Sequence, residues 1–230
     1  MEEVYIKLYL KLVNDLKNMM KSILLVNKIK QLSKKSAKDN SNKPLIILGP
    51  NSVGKDTMIN RLKAKFPEII YKLPSYTTRP IRNGEKEGID YYFVTKEEFF
   101  KLKNEGKLFG VQEYNNNYYA SNKSKLEQVL ENKAKVIVLN YNIETANAIK
   151  DKLDFNYVAI LPPSESALRE RLIKKQVKAE DIERRMERAL KEIQLIHEAN
   201  YIKYRFVNDE EDKAYNKLES HLKEIYPQLK

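Results

Sequence analysis

A glycine-bearing loop between an apolar run and a helical segment is the feature that most constrains the fold of this chain. The apolar run Leu45–Leu48 leads directly into Gly49-Pro50-Asn51-Ser52-Val53-Gly54-Lys55-Asp56-Thr57, and the residues that follow have helical spacing. Glycines let the backbone curl so that its N–H groups point inward, and the N-terminal end of the next helix adds positive potential. The pattern therefore predicts a phosphate-binding loop between a strand and a helix.

The chemistry expected of this loop is ATP binding with Mg²⁺. The loop matches G-x-x-x-x-G-K-[ST] except at its last position, where Asp56 replaces the usual hydroxyl. Lys55 would reach the outer phosphates, and a carboxylate at position 56 would be a metal ligand if Mg²⁺ lies between it and the phosphates. The plainer alternative is a β–α turn with an incidental lysine. The loop residues expected to bind ATP are Gly49, Asn51, Ser52, Val53, Gly54, Lys55, Asp56 and Thr57.

Short apolar runs alternate with helical periodicity through the rest of the chain. Strands are predicted at Leu45–Leu48, Ile69–Leu73, Tyr91–Val94, Leu108–Tyr114, Lys135–Asn140, Tyr157–Leu161 and Tyr204–Val207. Helices are predicted at about 55–65, 96–105, 122–132, 143–152, 164–175, 179–199 and 210–225. This alternation predicts an α/β domain over 44–230, with a parallel sheet of the P-loop NTPase type flanked by helices. Residues 75–120 are rich in turns and tyrosines, which indicates an acceptor-binding insertion.

Composition excludes several other classes of protein. The chain has no cysteine and two histidines, which rules out disulfide scaffolds and thiolate metal sites and argues against a histidine metal centre. Its apolar runs are far shorter than the roughly 20 residues of a membrane-spanning helix. Glu2 and Glu3 stand where a secretory signal carries positive charge. We therefore expect a cytoplasmic protein with no transmembrane segment.

Residues 1–43 are expected to form a basic, helical extension followed by a linker. Apolar residues recur there at helical spacing, although 6–12 also alternates like a strand, and 33–43 is almost entirely polar. Ten lysines against four acidic residues give this segment a net charge of +6, more than half of the +11 of the whole chain. The extension is interpreted as a partner helix, a surface anchor, or the product of an upstream start with Met19 or Met20 as the true initiator.

A basic turn inside the insertion predicts a second phosphate site. Arg79 and Arg82 are three residues apart in a turn fixed by Pro80, with hydroxyl side chains before it and Tyr91 after it. Arginine forks suit a phosphate dianion, and tyrosine hydroxyls add donors without adding charge.

Three motifs at this point resemble the guanylate kinase family, in which they hold the monophosphate acceptor. They are the T-T-R-x-x-R run Thr77–Arg82, the G-x-D-Y element Gly88–Tyr91 and the N-Y-Y triplet Asn117–Tyr119. The resemblance covers about 45–225. It implies transfer of the ATP γ-phosphoryl group to GMP or dGMP, giving ADP and GDP, with ATP and the nucleoside monophosphate as partners and no nucleic acid.

The resemblance also implies roles for individual residues in acceptor binding. Arg79, Arg82, Tyr91 and Tyr119 match positions that grip the acceptor phosphate, and two serines match positions that contact the nucleotide. The residues expected to bind the acceptor are Ser75, Arg79, Arg82, Tyr91, Gln112, Tyr119, Ser121 and Asn142.

Residues 168–190 resemble the family's lid, whose arginines close over the donor phosphates. Gln176 stands where the family has glycine. Asn208 matches a strand-end position beside the donor adenine and joins the residues expected to bind ATP. Catalysis is then expected to rest on positioning and charge stabilisation. The residues expected to carry it are Lys55, Arg79, Arg171 and Arg185.

Two departures from the family concern the acceptor base. The family reads guanine with a Glu at the position of Gly110 and with a second acid, which aligns with Asn142 of the Asn140-x-Asn142 run. Gln112 lies two residues after Gly110, on the same face if the segment is a strand. Its amide oxygen can accept from a base N–H, but it cannot supply a carboxylate's charge.

Two alternatives to a nucleoside monophosphate kinase remain. Ribose 1,5-bisphosphate phosphokinases, distant relatives of guanylate kinases, need no base reader and can carry Gly-Lys-Asp in the loop. The segment from Gly88 to Val94 favours a guanylate kinase instead. The second alternative is a guanylate kinase-like module that binds a protein and no longer phosphorylates. Such modules typically lose the loop lysine, so Lys55 favours an enzyme.

Overall fold

The computed structural model describes residues 6–17, 19–20, 24, 43–132, 135–151 and 154–230. Residues 6–17 are helical and are labelled α1. The linker predicted at 33–43 lies, apart from Lys43, outside the described residues. Within the described ranges, no helix combines the length and the apolar character needed to cross a bilayer.

The remaining elements alternate along the chain much as the apolar pattern predicts. They are β1 (Leu45–Leu48), α2 (Lys55–Lys65), β2 (Ile70–Lys72), β3 (Ser75–Thr77), β4 (Tyr91–Phe93), α3 (Lys96–Asn104), β5 (Leu108–Tyr114), β6 (Asn117–Asn122), α4 (Lys123–Leu130), β7 (Val136–Asn140), α5 (Ile143–Ile149), β8 (Asn156–Leu161), α6 (Glu165–Lys174), α7 (Ala179–Glu198), β9 (Tyr204–Val207), α8 (Glu211–Ile225) and a 3₁₀ turn (Pro227–Leu229). They fall into two compact units. The core unit comprises Ser36–Lys72 and Asn132–Lys230, and the insertion unit contains Leu73–Glu131.

The core unit is built on a five-stranded sheet in the order β2-β7-β1-β8-β9. Every neighbouring pair is parallel. The central strand β1 is wholly buried, which explains why its four residues are all apolar rather than alternating. This sheet confirms the predicted α/β class with a parallel sheet flanked by helices.

Helices on the core sheet explain where the hydrophobic core lies. Leu45 and Ile47 of β1 pack in one cluster with Met58 and Leu62 of α2 and with Leu218 of α8. Because parallel strands end at the same edge, the loop after β1 lies at the edge where β7, β8 and β9 also end. Ligands of open α/β sheets bind at this edge, and the predicted ATP-binding loop lies there.

The insertion unit contains a four-stranded sheet in the order β4-β3-β6-β5. Strands β3 and β4 are parallel, and the other two pairs are antiparallel. A two-residue turn joins β5 to β6, with Asn115 at φ 49° and Asn116 at φ 57°, the left-handed conformations that a type I′ hairpin requires. Strands β3 and β6 were absent from the sequence prediction.

Candidate active site

The loop between β1 and α2 has a backbone that requires glycine at two positions. Gly49 has φ 139°, and a Cβ there would lie 2.3 Å from the carbonyl oxygen of Ile160. Gly54 has φ 106°, and a Cβ there would lie 2.5 Å from the Nδ2 atom of Asn208. Both separations are far below van der Waals contact, so the two glycines of the phosphate-loop pattern are needed for the loop's shape.

Two predicted ligand residues bind the loop itself. The buried Asn208 donates from Nδ2 to the carbonyl oxygen of Val53 at 2.8 Å. Arg171 donates to the same oxygen at 3.3 Å and to the carbonyl oxygen of Asn208 at 2.6 Å. Arg171 therefore ties α6 to the loop and to the end of β9. The Oδ1 atom of Asn208 is buried and has no hydrogen-bond partner within the described ranges.

Lys55 folds back over the loop that precedes it. Its Nζ donates to the carbonyl oxygens of Gly49, at 2.5 Å, and Pro50, at 3.0 Å. Burial lowers the pKa of Lys55, while the negative charges of Glu192 and Asp56 act in the opposite direction. The ammonium group therefore lies in a poorly hydrated position beside the loop, where a phosphate would offer better charge compensation than the carbonyls do.

Asp56, the unusual residue of the loop, lies among polar side chains at the carboxyl ends of the strands. Its Oδ1 accepts from Nδ2 of Asn140 at 3.2 Å and lies 3.6 Å from Nζ of Lys72. Its side chain is 58% exposed. The carboxylate is thus held at the start of α2 and remains accessible to a ligand.

Glu192 is a member of this region that the sequence analysis missed. It lies on α7, is 7% exposed, and has an Oε1 atom with no hydrogen-bond partner among the residues described. Burial raises its pKa to about 7, against the opposing charges of Lys55 and Arg188 and the hydrogen bond from the backbone N–H of Ile143. The sequence showed only an acid on a helix, and nothing in the local pattern distinguishes it from a solvated one.

The predicted lid corresponds to α6 and the first half of α7. These helices pack through an apolar cluster that includes Leu168, Leu172 and Met186. Arg185 is partly buried, lies 3.8 Å from Asp181, and has an Nε atom that is buried without a partner in the described part of the chain.

In the insertion unit, the buried Arg79 is held by a carboxylate. Its Nη1 and Nη2 atoms donate to Oε2 and Oε1 of Glu85 at 2.7 and 2.5 Å, and Nη1 also donates to the carbonyl oxygen of Pro80 at 2.8 Å. Among the described residues these bonds use three of the five N–H donors of an arginine and leave two for a ligand. Burial alone lowers the pKa of Arg79, but the hydrogen bond and charge of Glu85 raise it overall.

Glu85 organises the whole basic turn and was also missed. Its Oε2 accepts from the backbone N–H of Arg82 at 2.9 Å, and the hydrogen bond from Arg79 lowers its pKa. The side chain of Arg82 itself is exposed. A carboxylate three residues after the second arginine was the available signal, because that spacing lets one acid span a tight turn.

Strand register places most of the predicted acceptor residues on one face of the insertion sheet. Residues that pair directly share a face, and so do residues two apart on one strand. Ser75 pairs with both Tyr91 and Ser121, and Gln112 pairs with Tyr119. We call this surface the Tyr91 face. Its members are Ser75, Thr77, Tyr91, Phe93, Phe109, Gln112, Tyr119 and Ser121.

Contacts support this assignment. The ring centroids of Tyr91 and Tyr119 are 6.1 Å apart, and the guanidinium carbon of Arg79 lies 4.9 Å from the Tyr91 centroid. On the opposite face, Phe99 and Phe100 of α3 pack on Tyr118. The aromatic residues of α3 therefore cover that second face, and the Tyr91 face carries the residues with polar chemistry.

The strand that carries Gly110 is irregular at that residue. Phe109 and Gln112 are three residues apart, yet they pair with Ser121 and Tyr119, which are two apart, so β5 contains a bulge. Gly110 has φ 64°. The expectation that Gln112 shares a face with Gly110 by simple alternation is therefore wrong, and Gln112 lies on the Tyr91 face because of its pairing instead.

The predicted site residues thus form two groups, one in each unit. The core unit contains the residues predicted for ATP and Mg²⁺, and the insertion unit contains those of the Tyr91 face and the Arg79 turn. Asn142 is the exception among the acceptor residues, because it belongs to the core unit. Its Oδ1 caps α5 by accepting from the backbone N–H of Thr145 at 2.9 Å.

Comparison with known proteins gives the family of this chain. A family model described as guanylate kinase matches residues 41–225. The chain belongs to the guanylate kinase family. It is 36% identical over 180 residues to the guanylate kinase of Schizosaccharomyces pombe, covering 77% of this chain and 89% of that one. It is 37% identical over 185 residues to that of Mycoplasma genitalium, covering 79% and 75%.

A solved structure extends the comparison to the fold. The chain is similar to the crystal structure of guanylate kinase from Anaplasma phagocytophilum, with 27% identity and a TM-score of 0.64 over 82% of this chain and 87% of that one. These results confirm the predicted membership in the guanylate kinase family.

Proposed function

We propose that this protein is an ATP-dependent guanylate kinase that converts ATP and GMP into ADP and GDP. The observation that carries the proposal is the presence of two separately built groups of residues suited to phosphate in a guanylate kinase family chain. One is the glycine loop with Lys55 in the core unit, and the other is the Arg79 turn beside Tyr91 in the insertion unit.

The donor site has the chemistry that ATP requires. The loop glycines, the start of α2 and Lys55 are suited to the phosphates. The buried Oδ1 of Asn208, which lacks a partner within the described ranges, is an acceptor close to the loop. An amino group such as that of adenine would satisfy it, and we propose that contact for Asn208.

The residues at the loop also fit a magnesium ion bound together with ATP. Asp56 is a hard oxygen ligand, and it is accessible. Mg²⁺ usually keeps several waters and takes one or two carboxylates plus the phosphate oxygens, so one carboxylate at the loop suffices on the protein side. Bound there, the ion would neutralise phosphate charge, with Asp56 as its protein ligand and Asn140 orienting that carboxylate.

The acceptor site follows from the Tyr91 face. Arg79 is preoriented by Glu85 and retains two N–H donors for a phosphate, while the hydroxyls of Tyr91 and Tyr119 add neutral donors. Arg82 has an exposed side chain that would supply a second fork. The serines Ser75 and Ser121 and the amide of Gln112 lie on the same face, and we propose them as the polar contacts of the nucleoside.

The reaction then needs no nucleophilic side chain. We propose that Lys55 and the arginines stabilise charge on the transferred group. Arg171 anchors the lid helix α6 to the loop. We propose that Arg171 and Arg185 contact the donor phosphates when ATP is bound, and that lid closure excludes water so that ATP is not simply hydrolysed.

The acceptor base is expected to be held less selectively than in a complete guanine reader. Gly110 and Asn142 supply no carboxylate for the N1–H and 2-amino groups of guanine. The comparisons do not favour either alternative function, because the relatives are guanylate kinases and the chain retains Lys55, Arg79 and Arg82.

A kinase assay with a panel of acceptors tests this function. Purified protein should produce ADP from ATP with GMP or dGMP, and with less activity on AMP, CMP, UMP or ribose 1,5-bisphosphate. Lys55→Met should abolish most of this activity, whereas Lys63→Met, in the last turn of the same helix, should retain it. A preference for the sugar phosphate would contradict the proposal. No transfer to any acceptor would favour a protein-binding module.

A further inference from the structure

Residues 6–24 contain the largest concentration of exposed apolar side chains in the described chain. Nine large hydrophobic residues are exposed there: Ile6, Leu8, Tyr9, Leu10, Leu12, Leu16, Met19, Met20 and Leu24. Their exposed fractions run from 46% at Leu16 to 72% at Leu24. From residue 43 onward the described residues expose only five such side chains, scattered along the chain. Clustered exposure of this kind marks an interaction surface.

The helix α1 gathers its apolar residues on one side, with Lys17 as the one polar residue near the edge of that side. Leu8, Leu12 and Leu16 follow one another at intervals of four and lie along one side of the helix. Lys7 and Lys11 have the same interval of four and lie along another side of the helix, together with Asn14. Met19, Met20 and Leu24 are also helical and exposed.

The charge of the segment indicates what covers this surface. Lysine is the basic residue throughout 1–43, with ten copies against four acidic residues. The apolar sector spans more than half of the helix circumference, wider than the seam of a coiled coil. Two copies of such a helix would also bring like charges together. An anionic bilayer surface accepts both the wide apolar side and the lysines, whose long stems can extend to the headgroups.

We propose that α1 is an in-plane amphipathic helix that binds the surface of a bilayer containing anionic lipid. The apolar side enters the boundary between headgroups and acyl chains, and the lysines contact the acidic headgroups. The proposal does not depend on the kinase function. It assigns the extension a peripheral attachment that leaves the two phosphate sites unchanged.

Vesicle co-sedimentation of the full chain tests the proposal. Vesicles of phosphatidylcholine with about 30 mol % phosphatidylserine should retain at least about tenfold more protein than vesicles of phosphatidylcholine alone. Raising NaCl from about 0.1 M to about 0.5 M should lower the bound fraction, because salt screens the lysines.

Two variants and a control separate the contributions. Leu8→Glu with Leu12→Glu should reduce binding about tenfold or more, and Lys11→Gln with Lys17→Gln should reduce it severalfold. Ile173→Glu, which changes one exposed apolar residue outside the extension, should bind like the native chain. All variants of the extension should keep the native kinase activity in solution, which shows that the domain is folded.

Two results would overturn the proposal. One is equal sedimentation with both kinds of vesicle. The other is a dimer, measured by light scattering without lipid, that Leu8→Glu with Leu12→Glu converts to a monomer, because a second copy of the chain would then cover the apolar side.

Discussion

The guanidinium of Arg79 and the carboxylate of Glu85 form a two-pronged ion pair with N–O distances of 2.7 and 2.5 Å. The same carboxylate binds the backbone N–H of Arg82. Glu85, which belongs to none of the sequence motifs, therefore sets the geometry of the basic turn. The proposed acceptor site thus depends on a carboxylate that itself repels phosphate.

This pair leads to a first prediction about acceptor turnover. Charge-assisted hydrogen bonds contribute about 1.5–3 kcal/mol each, so Arg79→Ala should lower kcat/KM for GMP by roughly 10- to 100-fold and leave ATP affinity nearly unchanged. Glu85→Gln should raise the KM for GMP less strongly, because Arg79 remains but loses its orientation. Steady-state kinetics with each substrate varied separately measures both effects. Loss of ATP binding in Arg79→Ala, with GMP binding intact, would mean that the two phosphate sites have been assigned the wrong way round.

A second prediction concerns Asp56 and the metal. Asp56→Ala should raise the Mg²⁺ concentration needed for half-maximal activity, with an unchanged circular dichroism spectrum, because the helix α2 does not depend on that side chain for a cap. Asp56→Ser should be close to native, since a hydroxyl is the usual ligand at this position. If Asp56→Ala binds ATP more tightly at every Mg²⁺ concentration, the carboxylate is repulsive rather than a ligand.

A third prediction follows from the buried carboxylate of Glu192. Burial raises its pKa from 4.5 to about 7, so folding favours the protonated form. The stability contributed by that proton is fully present below pH 4.5 and is lost as the pH rises through about 7. Glu192→Gln should therefore gain thermal stability relative to the native chain as the pH is raised from 5 to 8, measured as the difference in Tm.

Glu219 is the matched control for this experiment. It is equally buried, but it binds Lys65 and Lys223 at 2.7 Å. Burial alone raises its pKa, yet the hydrogen bonds from these two lysines lower it overall. Glu219→Gln should lose stability near neutral pH, and the loss should shrink as the pH falls through its folded pKa. Parallel pH profiles for the two variants would contradict the assignment of a raised pKa to Glu192 and a lowered pKa to Glu219.

A fourth prediction addresses base selectivity. Asn142→Asp should preserve the α5 cap, because aspartate caps as well as asparagine, while restoring an acceptor for guanine. Leaving a buried N–H donor of guanine unpaired costs about 1–3 kcal/mol. The ratio of kcat/KM for GMP to kcat/KM for AMP should therefore rise up to about 100-fold in this variant.

The companion change at Gly110 has a structural cost. Its φ of 64° disfavours any residue with a Cβ, so Gly110→Glu should lower stability by about 1–2 kcal/mol even if it adds selectivity. The native protein should discriminate against AMP only moderately. Rejection of AMP by more than about 10⁴-fold would mean that guanine is recognised by other residues.

A fifth prediction concerns the end of α6. Gln176 has φ 55°, and its N–H donates to the carbonyl oxygen of Ile173. Gln176 therefore has the left-handed conformation that glycine normally adopts just after the end of a helix. Gln176→Gly should therefore increase the free energy of unfolding by about 1 kcal/mol. Denaturant titration measures this change, and Gln194→Gly, inside α7, is the control that should be destabilised instead.

Local sequence pattern was sufficient for the core unit. The run Leu45–Leu48, the glycine loop and the helix after it occur as predicted, because each depends on residues that are adjacent in the chain. The sequence pattern missed β3 and β6, because three residues at Ser75–Thr77 and the polar run Asn117–Asn122 become strands only by pairing with each other.

The sites show the same distinction between local and distant contacts. The two loop glycines could be predicted from their spacing alone. Glu192 could not, because α7 buries it beside Lys55 through contacts distant in sequence. The bulge at Gly110 could not be predicted either, since strand alternation assumes an uninterrupted ladder.

The hydrogen bond between Asn208 and the Val53 carbonyl has a consequence for how the protein is made. The two residues are 155 positions apart, so the shape of the loop depends on a residue that leaves the ribosome long after the loop itself. Contacts of such long range form late, after the intervening chain has been ordered. A nascent chain that ends before β9 therefore contains the complete glycine motif but lacks the contact that fixes its geometry, so the loop reaches its final shape only after Asn208 has been synthesised.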